Sequence, residues 1–550
     1  MKLKILAFIL LISVVSVRNS LAQNNFPVFT RQDTLRGSVT PERQWWDLTY
    51  YHLNVRVNPA DSSLKGTNTI YYKVFDPGSV MQIDLQEPMS ITGVTMDNRA
   101  LDYSREGKVY WIKINGKQET GLIYSIKISF EGRPRISSRP PWDGGFTWTK
   151  DSKGSPFIAN ANQGDGASLW WPCKDHMYDE PDSMMISVTV PEKLTDVSNG
   201  RLRSVIKNKD KTKTYNWFVG SPINNYGVNI NVADYAHFSE EYKGEAGALD
   251  CDYWVLKENL EKAKEQFRQV PMMLKAFEYW FGKYPFYKDG YKLVEAPYLG
   301  MEHQSSVTYG NGFKNGYRGT DLSISGWGLK FDFIIIHESG HEWFANSITY
   351  RDVADMWVHE SFTNYAENLY VEYYYGKEAG QDYVIGTRVN IRNDRPVTGI
   401  YNVNYEGSGD MYYKGGNMLH TLRQIVNDDV KWRNILRGLN SEFYHKVVTG
   451  EQIENYLSEH TGLNLQRFFD QYLRDTRIPI FEYYVKGDEL TFRWNNCVRG
   501  FDMPLRILVS GKPLNISPRQ MFSTIKLDTK DAEIKVDPGY YVGTLNITGK

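Results

Sequence analysis

The chain has 550 residues, 41% of them hydrophobic and 23% charged, with a formal net charge of -1. At roughly 100–200 residues per domain, that is a globular protein of three or four domains with ample material for burial. The near-zero charge supplies no global field for nucleic acid or an anionic membrane, and the three scattered cysteines, Cys173, Cys251 and Cys497, allow at most one disulfide and no cysteine-built zinc site.

The first element is residues 1–22. Lys2 and Lys4 precede an apolar run of 13 residues, Ile5 to Val17, and then Ser20-Leu21-Ala22. This is the pattern of a cleavable secretory signal, which puts the mature N-terminus at Gln23. The run is short for a membrane span, and no cysteine follows it to take a lipid anchor. No later stretch is long and apolar enough to cross a bilayer. The expectation is an exported protein, periplasmic or secreted, with no membrane span in the mature chain.

From about Tyr50 to Tyr235 the hydrophobic period is two. Leu53, Val55 and Val57 alternate with Asn54 and Arg56, and Ile126, Ile128 and Phe130 alternate with Lys127 and Ser129. Residues 23–245 therefore read as an all-β domain. Helical periodicity starts at "ENLEKAKEQFRQVPMMLKAFEYWFGKYPF", with a break at Pro271, and dominates to about Arg477. Residues 246–478 read as a mostly helical domain. After Pro479, "FEYYVKGDELTFRW" reads as a hairpin turning near Gly487-Asp488, so residues 479–550 read as a short β-domain.

Within the helical region, "FDFIIIHESGHEWFAN" sets His337, Glu338 and His341 in an apolar run. Three ionisable groups there are costly without a partner. Residues i and i+4 stack on one helix face, so His337 and His341 can share one zinc ion, while Glu338 reaches a metal-held water as general base. A catalytic zinc takes a third protein ligand and keeps a position open. Glu360, after 18 intervening residues, falls on the next helical segment. Glu367 lies two turns beyond Glu360 on the same face. It either supports a ligand imidazole or is a solvated surface glutamate.

The HExxH motif, the 18-residue gap and Glu360 within "DMWVHESF" resemble the gluzincin aminopeptidases, the family of aminopeptidase N and leukotriene hydrolase. "PYLGMEHQS" resembles that family's G-x-M-E-N signature. It implies substrate-binding roles for Gly300, Met301 and Glu302, with Glu302 the amine-binding acid. "NQGDGASLWWPC" resembles its β-domain segment and puts Gln163 where the family reaches peptide main chain. "MYYKGG" resembles Y-x-K-G and makes Tyr412, in preference to Tyr413, the tyrosine that stabilises the transition state. His303, His359 and Ser361 depart from the usual Asn, Asn and Gly, and Leu299 from a Gly.

The resemblance implies a multidomain α+β architecture: an N-terminal β-saddle over 23–245, a thermolysin-like catalytic domain over 246–478 and a short β-domain over 479–550. It implies one Zn2+ per chain and hydrolysis of the first peptide bond of substrates with a free N-terminus, with Glu338 and Tyr412 catalytic. It also implies that the large C-terminal helical domain of longer members is absent. A thermolysin-like endopeptidase would share the zinc motif but has no use for the Glu302 signature. An inactive peptide-binding relative needs neither Glu338 nor Tyr412.

Overall fold

A computed structural model describes residues 27–547. The expected signal segment, 1–22, lies outside the described residues. The N-terminal half is built on an eight-stranded sheet. It runs from an edge at Arg201–Lys207 through Ser183–Pro191, Trp46–Asn58 and Ser63–Val74 to Arg99–Ala100. Leu53, Val55 and Val57 are buried while Asn54 and Arg56 face solvent, as the period of two requires. Smaller four- and three-stranded sheets complete this half around one core.

The second half opens with strands. A five-stranded sheet comprises β1 (Tyr235–Gly244), β2 (Gly247–Leu256), β3 (Tyr291–Glu295), β4 (Gly300–Met301) and β5 (Val307–Tyr309), in the order β1-β2-β3-β5-β4. The junction at 245/246 falls in the turn between β1 and β2. Helical patterning does not reveal β3, because all five of its residues are buried and no alternation marks it. Strand β4 lies at the sheet's edge and pairs only with β5.

The helices follow. The segment around Pro271 breaks as expected, into Leu260–Gln266 and α1 (Gln269–Phe281), with Pro271 in the first turn of α1, where its missing N–H costs nothing. Helix α2 (Phe333–Gly340) carries the HExxH residues, and α3 (Trp357–Tyr375) carries Glu360 and Glu367. Helix α4 (Tyr413–Val426) packs across α3. Strands Ile480–Lys486 and Glu489–Asn495 form the expected hairpin. The C-terminal strands share one hydrophobic core with the helices, through residues such as Phe481 and Trp494. Tyr472 also donates to the Tyr541 carbonyl at 2.8 Å. All three cysteines are buried free thiols. Among the described residues no helix is long and apolar enough to cross a membrane.

Candidate active site

Asp332 starts α2 by accepting hydrogen bonds from the Ile334 and Ile335 amides at 3.1 and 3.4 Å. Its other oxygen accepts from Tyr309 of β5 at 2.7 Å, which ties the helix to the sheet. The helix winding becomes irregular after His341, and the Phe344 carbonyl turns back to accept from His341 Nδ1 at 3.0 Å. His337 Nδ1 donates to Glu367 Oε1 at 2.7 Å. Glu367 is fully buried and also accepts from Tyr383 at 2.6 Å and Asn364 at 3.2 Å, so it supports the imidazole and is not a solvated glutamate.

With both Nδ1 atoms engaged as donors, the two Nε2 atoms face inward and are the nitrogens left to take a metal in place of a proton. They converge on Glu360 Oε2, at 3.7 Å from His337 and 3.4 Å from His341. Ligands bound tetrahedrally at zinc distances sit about 3.4 Å apart, so the spacing fits. Glu360 Oε2 is buried and has no hydrogen-bond donor, and the ligand atoms of His337, His341 and Glu360 lie within 4.8 Å of one another. The residues present fit a zinc ion. Burial opposes charge on both sides of this cluster, but the mutual attraction outweighs it: Glu360 and Glu302 hold the His341 imidazole up to about 9, and the imidazoles hold Glu360 below the usual carboxylate range.

Glu338 lines the same cleft, which has a volume of about 920 Å³. Burial, with help from the Glu302 and Glu360 charges, pushes its carboxyl up to about 7. Gly300 on β4 makes room for it: a Cβ there would lie 2.6 Å from Ile334 Cγ2 and 3.0 Å from Glu338 Oε1. Met301 follows on the same edge strand and also lines the cleft. Glu302, next along, is buried, and its Oε1 accepts from Gln163 at 2.8 Å and from Tyr226 at 3.1 Å. Gln163 also reaches Glu360 Oε1 at 3.1 Å. Tyr226 escapes the sequence reading, because nothing in its local spacing separates it from the other 37 of the chain's 38 tyrosines.

Tyr412 precedes α4, and its ring lies parallel to that of His337, with centroids 5.9 Å apart. Burial, with the charges of Glu360 and Glu302, holds its hydroxyl well above the ordinary tyrosine value. Burial, with the charges of Glu367 on α3 and of Tyr317, raises the Tyr413 hydroxyl above the ordinary tyrosine value. Gly415 and Gly416 let α4 approach α3 closely, since a Cβ at either would strike Ser361 or Asn364. Ser361, in place of the usual Gly, donates to the Met411 carbonyl at 2.7 Å and so fixes the turn that carries Tyr412. His359 points away from the cluster: its Nε2 accepts from the Tyr350 amide at 2.9 Å. His303 is fully buried, and burial alone drives its pKa down to about 3.

Two helices that present two imidazoles and a carboxylate, beside a sheet edge that lines the cleft, form the gluzincin metallopeptidase architecture. Residues 269–472 match the Peptidase family M1 domain, and the chain carries a domain of that family. It is 20% identical over 476 residues to Probable aminopeptidase 1 of Sulfurisphaera tokodaii, covering 81% of this chain and 56% of that protein. It is 22% identical over 472 residues to aminopeptidase N of Lactobacillus helveticus, covering 80% and 52%. The chain thus spans little more than half the length of these relatives. The crystal structure of an M1 zinc metallopeptidase from Deinococcus radiodurans, a mutant bound to a Tyr-Ser-Ala substrate, superposes with a TM-score of 0.65 at 18% identity. That match covers 80% of this chain and 96% of the other, and it establishes the fold.

Proposed function

We propose that this chain is a zinc-dependent aminopeptidase that hydrolyses the first peptide bond of substrates with a free N-terminus. The observation that carries this reading is the placement of one extra buried carboxylate. Glu302 offers an oxygen within 4.8 Å of donor atoms of both Glu338 and His341. A substrate ammonium held there leaves its first carbonyl beside the general base, one residue from the chain end.

His337, His341 and Glu360 would hold the zinc ion, which when bound supplies Lewis acidity toward a water and the scissile carbonyl. Glu338 takes the proton of the attacking water and returns it to the leaving amine nitrogen; its burial, which favours the protonated carboxyl, helps it hold that proton between the two transfers. Tyr412 stays protonated and donates a hydrogen bond to the carbonyl oxygen as negative charge builds there. Gln163 and Tyr226 orient the Glu302 carboxylate toward the incoming amine.

The test is hydrolysis of a dipeptide reporter by zinc-loaded protein, with the amine free or acetylated. The free form should turn over and the acetylated form should be a poor substrate. Equal cleavage of both would make the enzyme an endopeptidase. No cleavage of either by protein holding stoichiometric zinc would make it a peptide-binding relative.

We propose further that residues 1–22 are an export signal and that the mature protein works in the periplasm or outside the cell. The charged start, short apolar run and Ser20-Leu21-Ala22 support this. N-terminal sequencing of exported material should begin at Gln23. Intact Met1 in the cytosolic fraction would overturn it.

A further inference from the structure

The cleft holds one large apolar side chain that neither the fold nor the mechanism above uses. Trp142 lies on its rim and is 61% exposed. Among the described residues no other ring and no cation rests against the indole. Leaving so large a ring in water forgoes the stabilisation its burial would give, which marks the position as one to explain.

The loop beneath Trp142 is braced. The Asp143 carboxylate accepts from the Ser138 amide at 2.7 Å, from the Arg139 amide at 2.9 Å and from the Ser137 hydroxyl. The Trp142 amide donates to the Arg139 carbonyl at 2.9 Å. Arg135 binds the Asp143 and Gly144 carbonyls and pairs with Asp165, two residues after Gln163. The loop is therefore tied to the same segment whose Gln163 amide holds Glu302, the carboxylate assigned to the substrate amine. The apolar side chains of Leu299, Tyr317, Leu322 and Phe333 line the same cleft.

We propose that Trp142 is a specificity-determining residue that receives the side chain of the substrate's first residue and favours large apolar and aromatic side chains over small ones. This rests on the aminopeptidase reading. A substrate fixed by its ammonium at Glu302 projects its first side chain from the adjacent carbon. Trp142 lines the same cleft as Gln163, Gly300, Met301 and Glu302. Because the loop is ordered before binding, contact with the indole face costs little additional conformational entropy, and aromatic side chains gain from offset or edge-on packing.

The experiment compares zinc-loaded wild type, Trp142→Ala and Trp142→Phe. One panel is aminoacyl p-nitroanilides with Gly, Ala, Leu, Phe or Tyr as the acyl residue. A second is Ala-X-Ala tripeptides, in which only the second residue varies. Trp142→Ala should lower kcat/KM for the Phe and Tyr reporters by about five- to ten-fold, mostly through KM, the scale of one lost aromatic contact. Gly and Ala reporters should change less than about two-fold, Trp142→Phe should recover most of the loss, and melting temperature should not move. A uniform fall across the first panel, no change at all, or an effect that follows X in the tripeptides would overturn the assignment. Wild-type protein that holds zinc but hydrolyses no free-amine reporter would overturn the aminopeptidase reading itself, and the assignment with it.

Discussion

The metal end and the amine end of the cleft meet at His341, yet they are built on different plans. The metal end is local. His337 and His341 lie on α2 and Glu360 and Glu367 on α3, and the bond from His337 to Glu367 joins residues 30 apart in sequence. The amine end is assembled across two regions. Glu302 comes from the end of the sheet-edge strand β4, while Gln163 and Tyr226, 139 and 76 residues away, come from the N-terminal β region. The turn after Glu302 is pinned from that region too, by Asn199 donating to the Gln304 carbonyl at 2.8 Å. Chemistry thus rests on helix periodicity within one domain, and recognition rests on how two regions meet. Substitutions at the first end should abolish turnover, whereas those at the second should grade it.

The largest effects are expected at the metal end, and they should separate metal binding from proton transfer. Glu360→Ala removes the oxygen that both Nε2 atoms face, so stoichiometric zinc and activity should be lost together. Glu338→Gln leaves that triad intact. It should retain zinc while kcat falls by about 100- to 10,000-fold, the range for losing a positioned acid–base group. Elemental analysis beside steady-state rates distinguishes the two. Full zinc and activity in Glu360→Ala would place the third ligand elsewhere.

Next comes the tyrosine register. Tyr412→Phe should keep zinc and lower kcat by about 100- to 1,000-fold, the usual cost of one oxyanion donor. Tyr413→Phe should do little, because it is the Tyr412 ring that stacks on the ligand His337 and feels the Glu360, Glu302 and Glu338 charges. The opposite ranking would move the donor to Tyr413.

This contrast also explains what the sequence could disclose. His337, His341 and Glu360 are legible because a helix converts spacing directly into a shared face, so their roles follow from i, i+4 and a second helical segment. Gln163 and Glu302 become legible only through resemblance, since no local period encodes a contact between residues 139 apart. Tyr226 sits in a single short turn, Asn225–Gly227, with no motif of its own, and only the fold brings it to Glu302. The N-terminal strands were legible because one face is wet, whereas β3, buried on both faces, loses the alternation that would announce it. Spacing alone does not assign Glu367, because it fits a solvated helical face as well as a buried one. The burial of α3 decides it.

At the amine end the expected effects are smaller and depend on the substrate. Glu302→Gln removes the charge opposite the ammonium and should lower kcat/KM for free-amine peptides by about one to two decades, with zinc retained. Tyr226→Phe removes one of the two donors that orient that carboxylate and should cost less than Glu302→Gln, with the loss mainly in KM. Acetylated peptides carry no ammonium, so their slow cleavage should be nearly equal in wild type and both variants. A proportionate loss on acetylated substrates would mean that Glu302 acts on chemistry, and the division between the two ends would collapse.

The smallest effect concerns the scaffold of the amine end and separates it by pH. Glu295 ends β3, and its carboxylate accepts from the Leu256 amide and from Asn259, each at 2.7 Å. Burial, only partly offset by those donors, pushes its carboxyl from the ordinary 4.5 up to about 7. A folded-state value above the unfolded one means that the native protein keeps a proton the unfolded chain has released. Its stabilising contribution is therefore complete below about pH 4.5 and is lost as pH rises through 7. Glu295→Gln has no proton to lose, so its melting temperature relative to wild type should rise from pH 5 to about pH 7 and then level off, while zinc content and activity per zinc stay unchanged. A difference that is flat with pH would show that Glu295 is ionised throughout and that its two donors outweigh its burial.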